Sequence, residues 1–244
     1  MSTYAFADVH GMYSLWQAIK NYIAEDDHVF FLGDAADRGP DGIKIIQELL
    51  ADPRMTYMKG NHEELLFNAC SGECRKDWMM SKYADIWLYN GGYDTAEAFL
   101  KLSNQEQDDI LLAIERMPER LIYPSKSGKQ ILLSHAGFTP GLSDSELIEI
   151  GRRNAYIWDR KHIHDKWPGG KWDNYLVVHG HTPCQILDKQ RLGCRLGSTE
   201  GVAALQYSDG YKIDIDLGCF SSKKIALLNL DTLEVIYFTE KGKN

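Results

Sequence analysis

HVFFLGDAADRGP, residues 28–40, joins two segments that rarely meet. Val29-Phe30-Phe31-Leu32 is an apolar run of the length and composition of a buried strand. It runs straight into a loop that crowds Asp34, Asp37 and Arg38 into five positions, closed by Gly39 and Pro40. Asp and Gly also form ordinary turns, and Asp caps helices, so this loop alone decides nothing. The flanking segments decide it. Tyr4–Ala7 reads as a strand, and Tyr13–Ala24 as a helix with Leu15, Ile19 and Ile23 on one face. Val29–Leu32 is the second strand, Asp41–Leu50 a helix striped by Ile43, Ile46 and Leu50, Met55–Met58 the third strand, and Glu63 onward a helix again. Such alternation predicts parallel strands covered by helices, with ligands beyond the carboxyl ends of the strands.

Polar residues fall at that end each time. Asp8-Val9-His10-Gly11 follows the first strand, Gly33-Asp34 through Gly39 the second, and Gly60-Asn61-His62-Glu63 the third. Residues 75–116 read as helical throughout, with Trp78, Trp87 and Tyr89, and are broken by a glycine pair in NGGYDT at 90–95. This segment reads as an inserted helical subdomain or lid. From Leu121 strands and turns take over. KQILLSHAGF ends near His135, and NYLVVHGHTP near His179 and His181. AALQYSDGYKIDIDLG and KIALLNLDTLEVIYF read as hairpins turning at Asp-Gly and Asp-Thr. There is no internal repeat or low-complexity linker, and the expectation is one domain over 1–244 with a helical insert near 75–116.

A net charge of −8 without a basic run argues against a nucleic-acid backbone or an anionic membrane as partner. The five cysteines follow no regular framework, which suits free thiols in a reducing compartment. Cys70 and Cys74 have no second Cys or His pair to complete a zinc knuckle. No charged-then-apolar leader and no membrane-length run is visible, so the expected location is cytoplasmic.

Five of the eight histidines, His10, His62, His135, His179 and His181, lie just after apolar strand-like runs. One such histidine would be an ordinary structural residue. Five beside Asp8, Asp34 and Asn61 form the imidazole and carboxylate set that divalent transition metals select. Asp34 could bridge two ions about 3.5–4 Å apart, with Asp8 and His10 completing one and Asn61, His135 and His181 the other. Two divalent cations against two carboxylates leave a positive site for phosphate.

The set Asp8-x-His10-Gly, Gly-Asp34-x-x-Asp37-Arg38-Gly, Gly-Asn61-His62-Glu63, Ser-His135-Ala-Gly and Gly180-His181-Thr182 resembles the calcineurin-like metallophosphoesterases, and within them the phosphoprotein phosphatases of bacteria and phages. The related branch that cleaves diadenosine tetraphosphate symmetrically shares most of these motifs. The resemblance runs from residue 3 to about 230. It implies an α/β, four-layer αββα sandwich with a helical insertion. It implies two divalent ions, manganese first with iron or zinc as alternatives, held by Asp8, His10, Asp34, Asn61, His135 and His181. His62 would be the general acid, oriented by Asp37. Arg38 would hold phosphate oxygens, joined by Arg160 of IWDR. A metal-bridging hydroxide would attack phosphorus in line, and His62 would protonate the leaving alkoxide.

Some residues read two ways. Asn61 also fits a helix cap, with Glu64 as capping-box partner. Strand alternation sends His179 to the same side as His181, as a supporting or structural residue. His162 and His164 fit a solvated loop. Gly-His-x-His is cut to Gly-His-Thr-Pro by Pro183, which matches the phosphoprotein phosphatase branch. DRGP at 37–40 and GNHEE at 60–64 favour a phosphoserine or phosphothreonine protein or peptide as the expected substrate, with dinucleoside polyphosphates as the alternative and other small phosphoesters after them. A catalytically dead binding module would have lost a ligand, and none is lost.

Overall fold

In the computed structural model, residues 1–71, 79, 81–149, 151–152, 154–198, 200–240 and 242–243 are described. Trp78 and Cys74 lie outside them. The first half alternates as expected: β1 (Thr3–Phe6), α1 (Tyr13–Tyr22), β2 (His28–Phe31), α2 (Gly42–Ala51), β3 (Met55–Tyr57) and α3 (Asn61–Cys70). α4 (Ala84–Tyr89), α5 (Tyr93–Leu100) and α6 (Asn104–Arg116) follow. Then come β4 (Arg120–Pro124), β5 (Gln130–Ser134), α7 (Asp144–Glu149), α8 (Ala155–Trp158), β6 (Tyr175–His179) and α9 (Cys184–Lys189). β7 (Gly193–Arg195), β8 (Leu205–Tyr207), β9 (Lys212–Asp214), α10 (Cys219–Ser222), β10 (Lys224–Asn229), β11 (Val235–Thr239) and β12 (Gly242–Lys243) complete the order.

The strands form two mixed sheets, ordered β12-β11-β10-β1-β2-β3 and β4-β5-β6-β9-β8-β7. β1, β2 and β3 are parallel, and so are β5, β6 and β9. Both hairpins form, β8 with β9 and β10 with β11, each antiparallel.

Side-chain alternation builds the layers. Phe6 and Phe31 face the helices with Trp16, Ile46, Leu66 and Trp87, while Ala5, Phe30 and Leu32 face the second sheet with Leu133, Val178 and Ile213. Leu132 and Val177 point outward from the second sheet, under Phe138, Leu147 and Tyr156. The layers thus run helix, sheet, sheet, helix. Each fully buried Leu or Phe contributes about 1.5–3 kcal/mol, so the central layer holds the two sheets in fixed relation. That relation matters because the parallel strands of both sheets end at the same edge. Trp87, Phe99, Ile110 and Ile114 of the helical segment pack into the same core as β1 and β2.

Candidate metal centre

The loops after β1 and β2 are laced together by backbone hydrogen bonds. The Asp8 N–H donates to the Gly33 carbonyl (3.0 Å), that of His10 to Asp34 (3.0 Å), and that of Gly11 to Ala35 (2.8 Å). Asp8, His10, Asp34, Asp37, Arg38 and His181 all adopt left-handed backbone, with φ between 42° and 70°. Non-glycine residues avoid this region, and such strain persists only where the surroundings enforce it, typically at functional sites. The loops are thus bent to aim side chains.

Glu63 enforces much of that bend. Its buried carboxylate accepts the N–H groups of Asp34 (2.8 Å), Ala35 (2.8 Å) and Gly60 (2.9 Å), and the Tyr57 hydroxyl (2.8 Å). One side chain therefore ties the β2 loop to the start of α3. Glu63→Ala should lower stability by about 3–5 kcal/mol, because it strands several buried donors. Urea unfolding measures this, and a loss below about 1 kcal/mol would refute the role. The helix cap is Gly60, one residue earlier than the sequence suggests, and Glu63 rather than Glu64 closes it. Asn61 is released from capping, and Glu64 instead accepts from the Trp158 indole (2.5 Å) and the Asn154 amide (2.9 Å).

The aimed side chains form two overlapping clusters, His10 with Asp34 and His62, and Asp34 with His135 and His181. Asp34 belongs to both. Its Oδ2 lies 3.3 Å from His135 Nε2 and 3.7 Å from the Nε2 atoms of His10 and His62. Asp8 Oδ1 is 3.8 Å from His10 Nε2, and Asp8 Oδ2 accepts the His181 N–H at 3.0 Å. Asn61 Oδ1 stands 2.9 Å from both His135 Nε2 and His181 Nδ1. The structure thus brings Asp8, His10, Asp34, Asn61, His135 and His181 together.

These residues fit cations. His10 and His135 each place Nδ1 against a carbonyl, of Ala36 (3.0 Å) and Leu32 (2.9 Å), so Nδ1 carries the proton and the Nε2 lone pair faces Asp34. Imidazole nitrogens and amide and carboxylate oxygens thus converge on one cavity, the donor set that a divalent cation binds. His181 Nε2 is buried with no hydrogen-bond partner among the described residues. Burial opposes a charged His135, yet the carboxylates of Asp34 and Asp8 push its pKa up to about 9: with no cation bound, a second proton at Nε2 takes its place, and a bound cation would displace that proton. Burial and the neighbouring imidazoles hold His10 and His181 well below the usual histidine range, so they stay neutral, the state in which an imidazole can bind a metal.

Beside this cluster, Asp37 Oδ2 lies 2.6 Å from His62 Nδ1. Burial disfavours the His62 imidazolium, but the Asp34 and Asp37 carboxylates outweigh it and its pKa is raised. Arg38 and Arg160 are exposed at the rim. Arg38 Nη2 is 3.2 Å from His62 Nε2, and Arg160 Nη2 donates to the His181 carbonyl at 3.3 Å.

Several residues differ from the sequence reading. His181 lies beyond β6 in left-handed backbone, so strand alternation does not relate it to His179. His179 turns away, between the Gly180 carbonyl (2.9 Å) and the Tyr207 hydroxyl (2.7 Å). His162 is not solvated: it is buried edge-on against His179, and its carbonyl accepts from the buried Lys212 amine at 2.6 Å. His164 is exposed as expected. Asp216, after β9, was missed. It is buried, accepts the Gly218 N–H at 2.7 Å, and together with burial raises the pKa of Asp8. The polar end of IDIDLG, in the same place as the other strand-end loops, was its signal.

The family model of the calcineurin-like phosphoesterases matches residues 1–215. Serine/threonine-protein phosphatase 2 of Escherichia coli (strain K12) is 28% identical over 58% of this chain, which spans 64% of that protein. The asymmetrical bis(5'-nucleosyl)-tetraphosphatase PrpE of Oceanobacillus iheyensis is 24% identical over 94% of this chain and 88% of its own length. Among solved structures, a cold-active protein-tyrosine phosphatase of Shewanella superposes over all of this chain and 79% of its own, at a TM-score of 0.55 and 17% identity, a likeness of fold. With its two overlapping His and Asp clusters and this match over most of its length, the chain belongs to the calcineurin-like phosphoesterases and is a metal-dependent hydrolase of phosphate esters.

Proposed function

We propose that the chain hydrolyses dinucleoside tetraphosphates, using two divalent ions held by Asp8, His10 and Asp34 and by Asp34, Asn61, His135 and His181. The observation that carries the substrate class is the match to a bis(5'-nucleosyl)-tetraphosphatase over nearly the whole of both chains, against under two thirds for the first-mentioned serine/threonine phosphatase. The expectation of a phosphoprotein substrate thereby becomes the second reading. It keeps one observation of its own, the 2.6 Å Asp37–His62 contact. A serine or threonine alkoxide is strongly basic and leaves poorly without a proton, whereas a nucleotide leaves readily. We read the chain as one domain, with manganese as the first metal to test.

When bound, the ions supply Lewis acidity to phosphoryl oxygens and a water acidic enough to attack near neutral pH. The chain's own residues do the rest. Arg38 and Arg160 meet equatorial phosphoryl oxygens, each able to give two hydrogen bonds from a planar fork. His62 donates its Nε2 proton to the leaving oxygen and ends neutral, its Nδ1–H held by Asp37. Protonated at Nε2, His62 no longer accepts from Arg38, so both donors turn toward the bound phosphate.

With manganese, kcat/KM for diadenosine tetraphosphate is expected to exceed that for a phosphoserine peptide by about a hundredfold or more. The products, two ADP or AMP with ATP, report which anhydride is cut. Faster cleavage of the phosphopeptide would replace the first reading with the second.

A further inference from the structure

The acid end of the site is held from outside its own loop. Asp37 and Arg38 are consecutive residues in left-handed backbone, at φ 70° and 65°. Both backbone N–H groups are taken by the helical segment that follows α3. The Asp37 N–H donates to Thr95 Oγ1 in α5 (2.9 Å), and the Arg38 N–H to the Gly91 carbonyl (3.0 Å). The Asp37 carboxylate is gripped from the same segment. The indole N–H of Trp87, fully buried in α4, donates to both its oxygens, at 2.9 and 3.1 Å. On its far side that carboxylate meets His62 Nδ1.

The glycine pair locks the grip. A Cβ on Gly92 would sit 2.4 Å from the Trp87 indole nitrogen. Gly91, at φ 95°, packs its backbone against Arg38, where a Cβ would meet the Arg38 backbone nitrogen at 3.1 Å. The WLYNGGYDT stretch therefore makes sense as one device. Its tryptophan, glycines and threonine each touch Asp37, Arg38 or each other.

We infer that Trp87 and Thr95 are positioning residues, which fix Asp37 from the helical segment and through it aim the His62 imidazole at the leaving oxygen. This rests on His62 being the general acid. Both residues are buried, and they reach Asp37 rather than solvent. One indole N–H shared between both carboxylate oxygens, and Thr95 on the Asp37 backbone, hold the carboxylate facing His62 Nδ1, so the proton on His62 Nε2 points where the leaving group departs.

The test uses two substrates of nearly equal size, 4-nitrophenyl phosphate and phenyl phosphate. The first releases a weakly basic phenolate that needs little protonation, and the second a strongly basic one. Trp87→Phe keeps a buried aromatic ring and removes the N–H. It should raise the ratio of kcat/KM for the nitrophenyl over the phenyl ester by about fivefold or more, below the effect of removing the acid itself. Thr95→Val should raise it in the same direction, and serves alone if Trp87→Phe fails to fold by circular dichroism. In a His62→Asn background neither change should move the ratio further. An unchanged ratio in the single variants, or an equal further rise without His62, would overturn the inference, since a purely structural role slows both esters alike. If His62→Asn by itself leaves the ratio untouched, the general-acid reading fails, and this inference falls with it.

Discussion

Asp34→Asn is expected to lower kcat at least about a thousandfold, a loss of about 4 kcal/mol, and to reduce bound manganese from two ions per chain to one or none. Asp34 is the one residue shared by both clusters, with its Oδ2 within 3.7 Å of the Nε2 atoms of His10, His62 and His135. Asparagine has nearly the same shape but no charge, and its NH₂ would face imidazole lone pairs or displace an ion. The backbone stays anchored, because Glu63 accepts the N–H of residue 34 whatever its side chain. The fold should survive while the centre fails. Calorimetric titration and steady-state rates check this together. Two tightly bound ions with wild-type turnover would remove Asp34 from its bridging role.

The second large effect concerns His62. His62→Asn should lower kcat by about 10²–10⁴ on a phosphoserine peptide and by far less on 4-nitrophenyl phosphate. The asymmetry follows from the proton. Asparagine keeps a polar side chain beside Asp37 but offers no acidic proton to an alkoxide. For diadenosine tetraphosphate, whose leaving group is a nucleotide, the loss should lie nearer the nitrophenyl value. Equal losses on all three substrates would mean that His62 acts by binding phosphate or metal rather than as an acid, which its place in the first cluster also permits.

What could be read along the chain was everything local or periodic. A short apolar strand followed by Asp or His is visible wherever it occurs, and strand-helix alternation states which ends of the strands converge. This is why Asp8, His10, Asp34, His135 and His181 were legible, each lying within a few residues of a strand end. Glu63 was seen as part of a motif, but not as the acceptor that ties two loops. Asp216 went unseen because its carboxylate matters only beside Asp8, about two hundred residues away. His162 reads as loop because its burial comes from His179 and Lys212, on strands that only the second sheet brings near.

By itself, then, the sequence determined the alternating core and the chemical character of each strand-end loop, since these depend on spacing of 2 and 3.6 residues and on residue type. Only the tertiary structure decided how near the Asp34 carboxylate stands to the imidazoles of both clusters, how Asn61 is freed from its helix cap, and how Trp87 comes to hold Asp37. Those are contacts between segments distant in the chain. Their distances are set by the packing of two sheets and a helical layer, and no local pattern encodes them.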